Sequence, residues 1–206
     1  MSEYGVFIIE NLRGDDFFDG ENLHDILELS RIKNIYKEVH DKDEFIAVID
    51  EFKTSNLRYL HISCHADMDG IEINGEEITN LELSKVFKNK ITKKRIFLSA
   101  CKGGNRNIAT AVTRCGGRSV IGTPIDLHFD KAALFWPSFY HVINCADNSK
   151  MNKKSIRDTL RKCVDLFEIP VNYYHGIKGE PKQLRRYKFR FNEKTINKLI
   201  KTSKLI

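Results

Sequence analysis

The chain has no apolar run approaching the ~20 residues that a membrane-spanning helix requires, so a membrane protein is not expected. It also lacks paired cysteines. The five that occur, Cys64, Cys101, Cys115, Cys145 and Cys163, are odd in number and irregular in spacing, with no CxxC. That argues against a disulfide framework and a structural zinc site, and suits a reducing compartment. Repeats and low-complexity segments are absent, which excludes solenoid architectures. The opening MSEYGVFIIE has acid ahead of its apolar patch and no basic leader, unlike a secretory signal. A cytoplasmic protein is the expectation.

What is present is the composition of a soluble globular chain, 41% hydrophobic and 30% charged over 206 residues. That length suits one domain with a full core, so a single domain over residues 1–206 is expected, with a basic segment from about residue 150. The net charge of +6 is unevenly spread: residues 1–100 hold 13 basic against 20 acidic side chains, and the remainder 21 against 8. The excess lies in "KMNKKSIRDTLRK" and "KQLRRYKFRFNEKTINKLIKTSK". Nucleic acid or another acidic partner would fit such a segment. A solvated helix face followed by a basic tail is the plainer reading, because no aromatic-interleaved nucleic-acid motif accompanies the charge.

Short apolar runs alternate with amphipathic stretches. Strands are expected at 4–12, 34–39, 57–65, 94–101 and 118–125, and helices at 20–32, 42–55, 79–89 and 107–115, with Phe45, Ile46, Val48, Ile49 and Phe52 as the buried face of the second helix. Such alternation predicts an α/β fold whose mainly parallel sheet is covered by helices on both faces. Ligand sites in these sheets lie beyond the carboxyl ends of the strands. The residues that close each strand are therefore where chemistry is sought.

Two strand ends are chemically unusual: "YLHISCHADMDG" closes with His65 and "IFLSACKGGN" with Cys101. On neighbouring strands the two side chains would project from one rim. Gly103 and Gly104 allow a sharp turn behind the cysteine, and Asn105 is a good cap for the following helix. A cysteine ahead of a helix amino end is placed as a nucleophile would be, and an imidazole can take its proton. Two other chemistries compete. A metal could use His61, Cys64 and His65, but alternate strand residues face opposite ways, so Cys64 would point away from both histidines. A phosphate-cradling loop "CKGGNR" with Arg106 is the second, though it has four residues between Cys and Arg where that loop needs five.

Taken together, "LHISCHADMDGIEI", "KRIFLSACKGG" and "GGRSVIGTPIDLHFDKAALFWPSFYHVI" resemble the CHAT group of caspase-like cysteine peptidases. The resemblance covers roughly residues 4–145. It rests on His65, on Ser99-Ala100-Cys101, on Val120-Ile121-Gly122 and on Phe139-Tyr140, in the family's order. It implies a caspase-like three-layer sandwich and a Cys101/His65 dyad cleaving protein substrates, with no cofactor and no metal. The implied oxyanion hole is the backbone N–H of Cys101 and of the residue after the histidine, usually Gly and here Ala66. Candidates for the pocket holding the residue before the cut are Asp126, Arg13 and Ser99: Asp126 would favour a basic side chain and Arg13 an acidic one. Only residues 102–117 separate Cys101 from the next strand, so activation by cutting a linker there is not expected. A protein partner or self-association is expected to switch the domain on, in a setting that in bacterial relatives includes stress and anti-phage responses. The alternative is a catalytically weak relative acting as a binding module for an acidic partner. The aromatic set Phe129, Phe135, Trp136, Phe139 and Tyr140 is expected mostly as core at helical spacing.

Overall fold

The computed structural model describes residues 3–146, 151–177 and 180–191. The run "LRYLHISCHA" forms strand β3 (Leu57–Ala66). Leu57, Tyr59, Leu60, His61, Ile62, Ser63 and Cys64 are all buried, as expected of a central parallel strand covered on both faces. Around it lie β1 (Glu3–Asn11), β2 (Asn34–Glu38), β6 (Arg95–Ser99), β7 (Ser119–Gly122), β8 (Val171–Ile177) and β9 (Glu180–Phe189), in the sheet order β2-β1-β3-β6-β7-β8-β9. The first five of these run parallel, and β8 and β9 are antiparallel additions at one edge. Strands β4 (Gly70–Ile73) and β5 (Glu76–Thr79) form a small antiparallel hairpin that extends the end of β3.

Six helices cover the faces among the described residues: α1 (Asp19–Leu29), α2 (Lys42–Thr54), α3 (Asn80–Phe87), α4 (Arg106–Arg114), α5 (Phe129–Ala146) and α6 (Lys153–Phe167). One core lies under α2, α3 and α4 and includes Phe45, Phe52, Leu60, Ile62, Phe87 and Val112. The other lies under α1, α5 and α6 and includes Tyr59, Phe97, Trp136, Phe139, Leu160 and Tyr173. This is the expected α/β architecture, a mainly parallel sheet between two helical layers.

Local chemistry accounts for the helix starts. Asp41 caps α2 through Glu44 N–H, and Thr79 and Glu82 make a reciprocal capping box at α3. Helix α1 is capped from a distance. Its N-cap is Phe18, which has no capping side chain, and the carboxylate of Glu10 on β1 accepts instead from Gly20 N–H at 2.7 Å and Glu21 N–H at 2.9 Å. Three expectations change. Ile46 is 37% exposed and lies off the buried face of α2. The polar stretch after His65 is the β4–β5 hairpin. Beyond residue 150 there is no simple solvated tail: α6, β8 and β9 complete the sheet and one helical layer, because Ile156, Leu160, Val164, Val171 and Tyr173 interleave with the charges and are buried. Residues 192–206, the end of the expected tail, lie outside the described residues. Among the described residues no helix is long and apolar enough to cross a membrane.

Candidate active site

Strands β3 and β6 are parallel neighbours, with Ser63 directly opposite Ser99. His65 and Cys101 each lie two residues further on. Odd-numbered residues of β3 and β6 face the α1/α5/α6 layer, as Tyr59 and Phe97 show, so the two side chains emerge on the same side of the same rim. They line one small cavity together with Cys64, Ser99, Ala100, Leu127, Phe129 and Ala132. Leu127 N–H donates to the Cys101 sulfur at 3.3 Å, and Leu127 O accepts from it at 3.7 Å. The imidazole of His65 packs edge-on against Phe129, with ring centroids 5.7 Å apart.

His65 has a partner that sequence reasoning missed. Asp16, in the loop after β1, accepts from His65 Nε2 at 2.9 Å. Its carboxyl lies below the usual carboxylate range. Burial opposes ionisation there, and the Arg13 N–H, the His65 hydrogen bond and nearby positive charge together outweigh that penalty. A bond to Nε2–H leaves Nδ1 as the nitrogen free to accept a proton. No local motif marks Asp16 in "RGDDFFDG"; only the arrival of the β1 loop beside β3 brings it to the imidazole.

A buried carboxyl lies beneath the rim. Asp19, 1% exposed at the start of α1, accepts from Ser63 Oγ and, at 2.6 Å, from Ser99 Oγ. Burial raises its pKa to about 6, against the lowering effect of the two serines. Glu10 next to it is raised to about 7, again chiefly by burial. Ser99, one of the three specificity candidates, is thus tied to Asp19. The other two are engaged at the surface: Arg13 pairs with Glu72, and Asp126, 71% exposed, pairs with Lys102 at 3.1 Å.

Gly104 has a structural reason. A Cβ there would lie 2.1 Å from the Gly122 carbonyl oxygen, and Gly104 N–H donates to Thr123 O at 2.7 Å. The loop after Cys101 is pressed onto the end of β7, so the Gly-Gly and Val-Ile-Gly segments form one close backbone contact. Asn172 on β8 secures the same loop by donating to Gly104 O at 2.8 Å. Between these anchors Lys102 adopts φ +53°, an uncommon conformation for a non-glycine residue next to the thiol. Asn105 caps α4 through Ile108 N–H at 2.9 Å, as expected.

The competing chemistries fare poorly in this geometry. The amides after Cys101 are already used: Lys102 N–H donates to Ile125 O, Gly103 N–H to Ala100 O and Gly104 N–H to Thr123 O. A phosphate cradle would need them free, and Arg106 is exposed on α4. Cys64 belongs to the core under α2, α3 and α4, away from His61, which contacts Trp136 and Tyr140 on the opposite face. Among the described residues no group of three metal-ligating side chains is assembled. The aromatic set divides: Phe135, Trp136, Phe139 and Tyr140 are core, whereas Phe129 lines the cavity.

The ladder sets the direction of the Ala66 N–H, one of the two expected oxyanion donors. Asp67 N–H donates to Gly70 O, and His65 and Ala66 pair with Glu72 and Ile71. Antiparallel pairs alternate between hydrogen-bonded and non-bonded, so the Ala66 N–H is directed away from β4. Ala66 is not among the residues with positive φ, and alanine takes this position without strain. Among the described residues no backbone acceptor takes the Cys101 N–H.

No family model matches the chain, and no curated protein sequence does. Its fold is similar to solved structures of a cysteine proteinase of Porphyromonas gingivalis. One is the complex of the RgpB pro- and mature domains, with TM-score 0.51 and 12% identity, covering 80% of this chain and 43% of that one. Another is the Arg-specific cysteine proteinase gingipain R (RgpB), with TM-score 0.52 and 10% identity, covering 80% and 42%. The chain spans less than half the length of those proteins. At such identities the likeness is one of fold alone: an α/β architecture with a mainly parallel sheet between helical layers, similar to part of those chains.

Proposed function

We propose that the chain is a cysteine endopeptidase in which Cys101 is the nucleophile and His65 the general acid and base, oriented by Asp16. The observation that carries this is the shared cavity of Cys101 and His65 at adjoining strand ends, with Asp16 on the Nε2 nitrogen of the imidazole. The thiol proton passes to His65 Nδ1, and the thiolate attacks the scissile carbonyl. The Cys101 and Ala66 N–H groups stabilise the oxyanion, an interaction that strengthens as charge develops. The tetrahedral intermediate collapses as His65 hands its proton to the leaving amine. Water, deprotonated by the same imidazole, then attacks the thioester and releases the acid product with the free thiol. The likeness to a cysteine proteinase fold supports the reading without fixing the reaction.

Control by a protein partner or by self-association, in a stress or anti-phage setting, is part of the proposal. Its support is the arrangement of the sulfur, which is hydrogen-bonded to Leu127; a partner that moves the segment carrying Leu127 would release it toward His65. The test is incubation with a diverse peptide library, cut sites being read by mass spectrometry. Cleavages by the wild-type chain that vanish in Cys101→Ala support the peptidase reading and identical cleavages from both reject it, whereas full activity of the chain alone rejects control by a partner.

A further inference from the structure

At the end of the sheet away from Cys101, four strands contribute one residue each to a single row. Arg95 on β6 pairs with Ser119 on β7, Ser119 with His175 on β8, and His175 with Arg185 on β9. Arg95 Nη1 donates to Ser119 Oγ at 3.0 Å and to Tyr173 Oη at 3.1 Å. Tyr173 belongs to the core under α1, α5 and α6, which sets the face of the row. Cys101 lies six residues beyond Arg95, so roughly 20 Å separates the row from the sulfur at about 3.3 Å per strand residue.

Positive charge gathers there. Arg95 is only 3% exposed, and its two hydrogen bonds named above go to hydroxyls rather than to a carboxylate. Unpaired buried charge is costly. Lys153, the first residue of α6, lies 4.9 Å over the Tyr187 ring. Lys153 and Arg185 both stand at the Tyr187 hydroxyl and lower its pKa, Lys153 more strongly. The amino end of α6 adds partial positive charge. Two acidic side chains of that helix are engaged along it, Asp158 with Lys154 and Asp165 with Arg161. Lys153, Arg185 and His175, with Gly176 and Ile177, line a cavity of about 180 Å³. The Nδ1 atom of His175 is buried and, among the described residues, has no hydrogen-bond partner. Burial first, and then the charges of Lys153, Arg95, Arg118 and Arg185, lower the pKa of this imidazole to about 4.

We infer that this cavity is an anion site, taking the phosphate or pyrophosphate group of a small phosphorylated molecule between Lys153 and Arg185, with His175 at its wall. A guanidinium fork beside an ammonium matches phosphate oxygens in shape and charge. The volume lies below the ~300 Å³ at which pockets enclose whole drug-sized ligands, so the charged group enters and the rest of the molecule stays outside. The inference is independent of the peptidase reading.

The experiment is calorimetric titration of the full chain with sodium pyrophosphate at constant ionic strength. Saturable binding is expected for the wild type, together with a shift of the His175 ring resonances as the anion offsets the surrounding cations. Arg185→Gln and Lys153→Gln should each weaken binding by about tenfold or more, the effect of losing one charged hydrogen bond. Arg114→Gln, at an exposed arginine on α4, should leave it unchanged. Absence of saturable binding to the wild type, equal affinity in all variants, or the same response to sodium chloride would overturn the inference. Should Arg185→Gln disturb β9, the Lys153→Gln variant still decides.

Discussion

His65 and Cys101 hold equivalent positions on neighbouring parallel strands, each two residues past the directly paired Ser63 and Ser99. The register therefore carries the thiol and the imidazole to one rim, and Asp19 ties that register together by accepting from both serines. The reactive pair depends on the sheet and on the α1 amino end as much as on the loop that holds the cysteine.

In the proposed mechanism Asp16 is a positioning residue that acts through His65. Asp16→Asn should lower kcat by about 100-fold, within the range attributed to well-oriented acid–base groups, with KM changed by less than about twofold. Asp16→Glu should recover part of the loss. Steady-state kinetics on a peptide found by library cleavage would check this, and equal losses in both variants would assign Asp16 a merely structural part.

Ala66 stands where the CHAT pattern has glycine. Because it is not among the residues with positive φ, Ala66→Gly gains no conformational freedom that the site needs. Its kcat/KM should stay within about twofold of wild type. A rise of an order of magnitude would mean that alanine misdirects the N–H.

The contact of Gly104 with β7 has no room for a side chain. Gly104→Ala, whose Cβ would meet the Gly122 carbonyl oxygen at 2.1 Å, should cost about 3 kcal/mol through forced backbone movement and remove activity. Gly14→Ala, with nothing within 4 Å of its Cβ, should change stability by less than about 0.5 kcal/mol. Urea denaturation of the two variants makes the comparison.

Burial raises Asp19 to about 6 and Glu10 to about 7, from ordinary values of 3.8 and 4.5. A carboxyl whose pKa is raised by folding supports the fold fully below its unfolded pKa, and that support is lost as pH rises through the folded value. Stability should therefore fall from about pH 4 to about pH 7, by roughly 3 kcal/mol for each group at most. Asp19→Asn should flatten this slope by about half. Denaturation at pH 4.5 and 7.5 reads the difference, and equal slopes in variant and wild type would contradict it.

Much of this was legible in the sequence because strand β3 and strand β6 are apolar and bounded by turn residues. The period of the helices gave α2, α3 and α4 nearly to the residue. The β4–β5 hairpin was hidden because "IEINGEEIT" is brief and polar, and α6, β8 and β9 were masked by the charge that crowds residues 153–190. His65 and Cys101 could be nominated from their strand ends. Asp16 and Asp19 could not, since each gains its role from residues 44 to 80 positions away in the chain. The Gly-Gly after Cys101 reads in the sequence as a sharp turn, whereas Gly104 makes room for Gly122.

The most direct measurement is covalent labelling of the native chain with a peptide-based thiol-reactive probe, with the modified cysteine located by mass spectrometry. The account predicts labelling at Cys101, not at Cys115 or Cys145, and its loss in His65→Ala while the fold is retained. Equal labelling of Cys101 with and without His65, or modification spread over the other accessible cysteines, would contradict it.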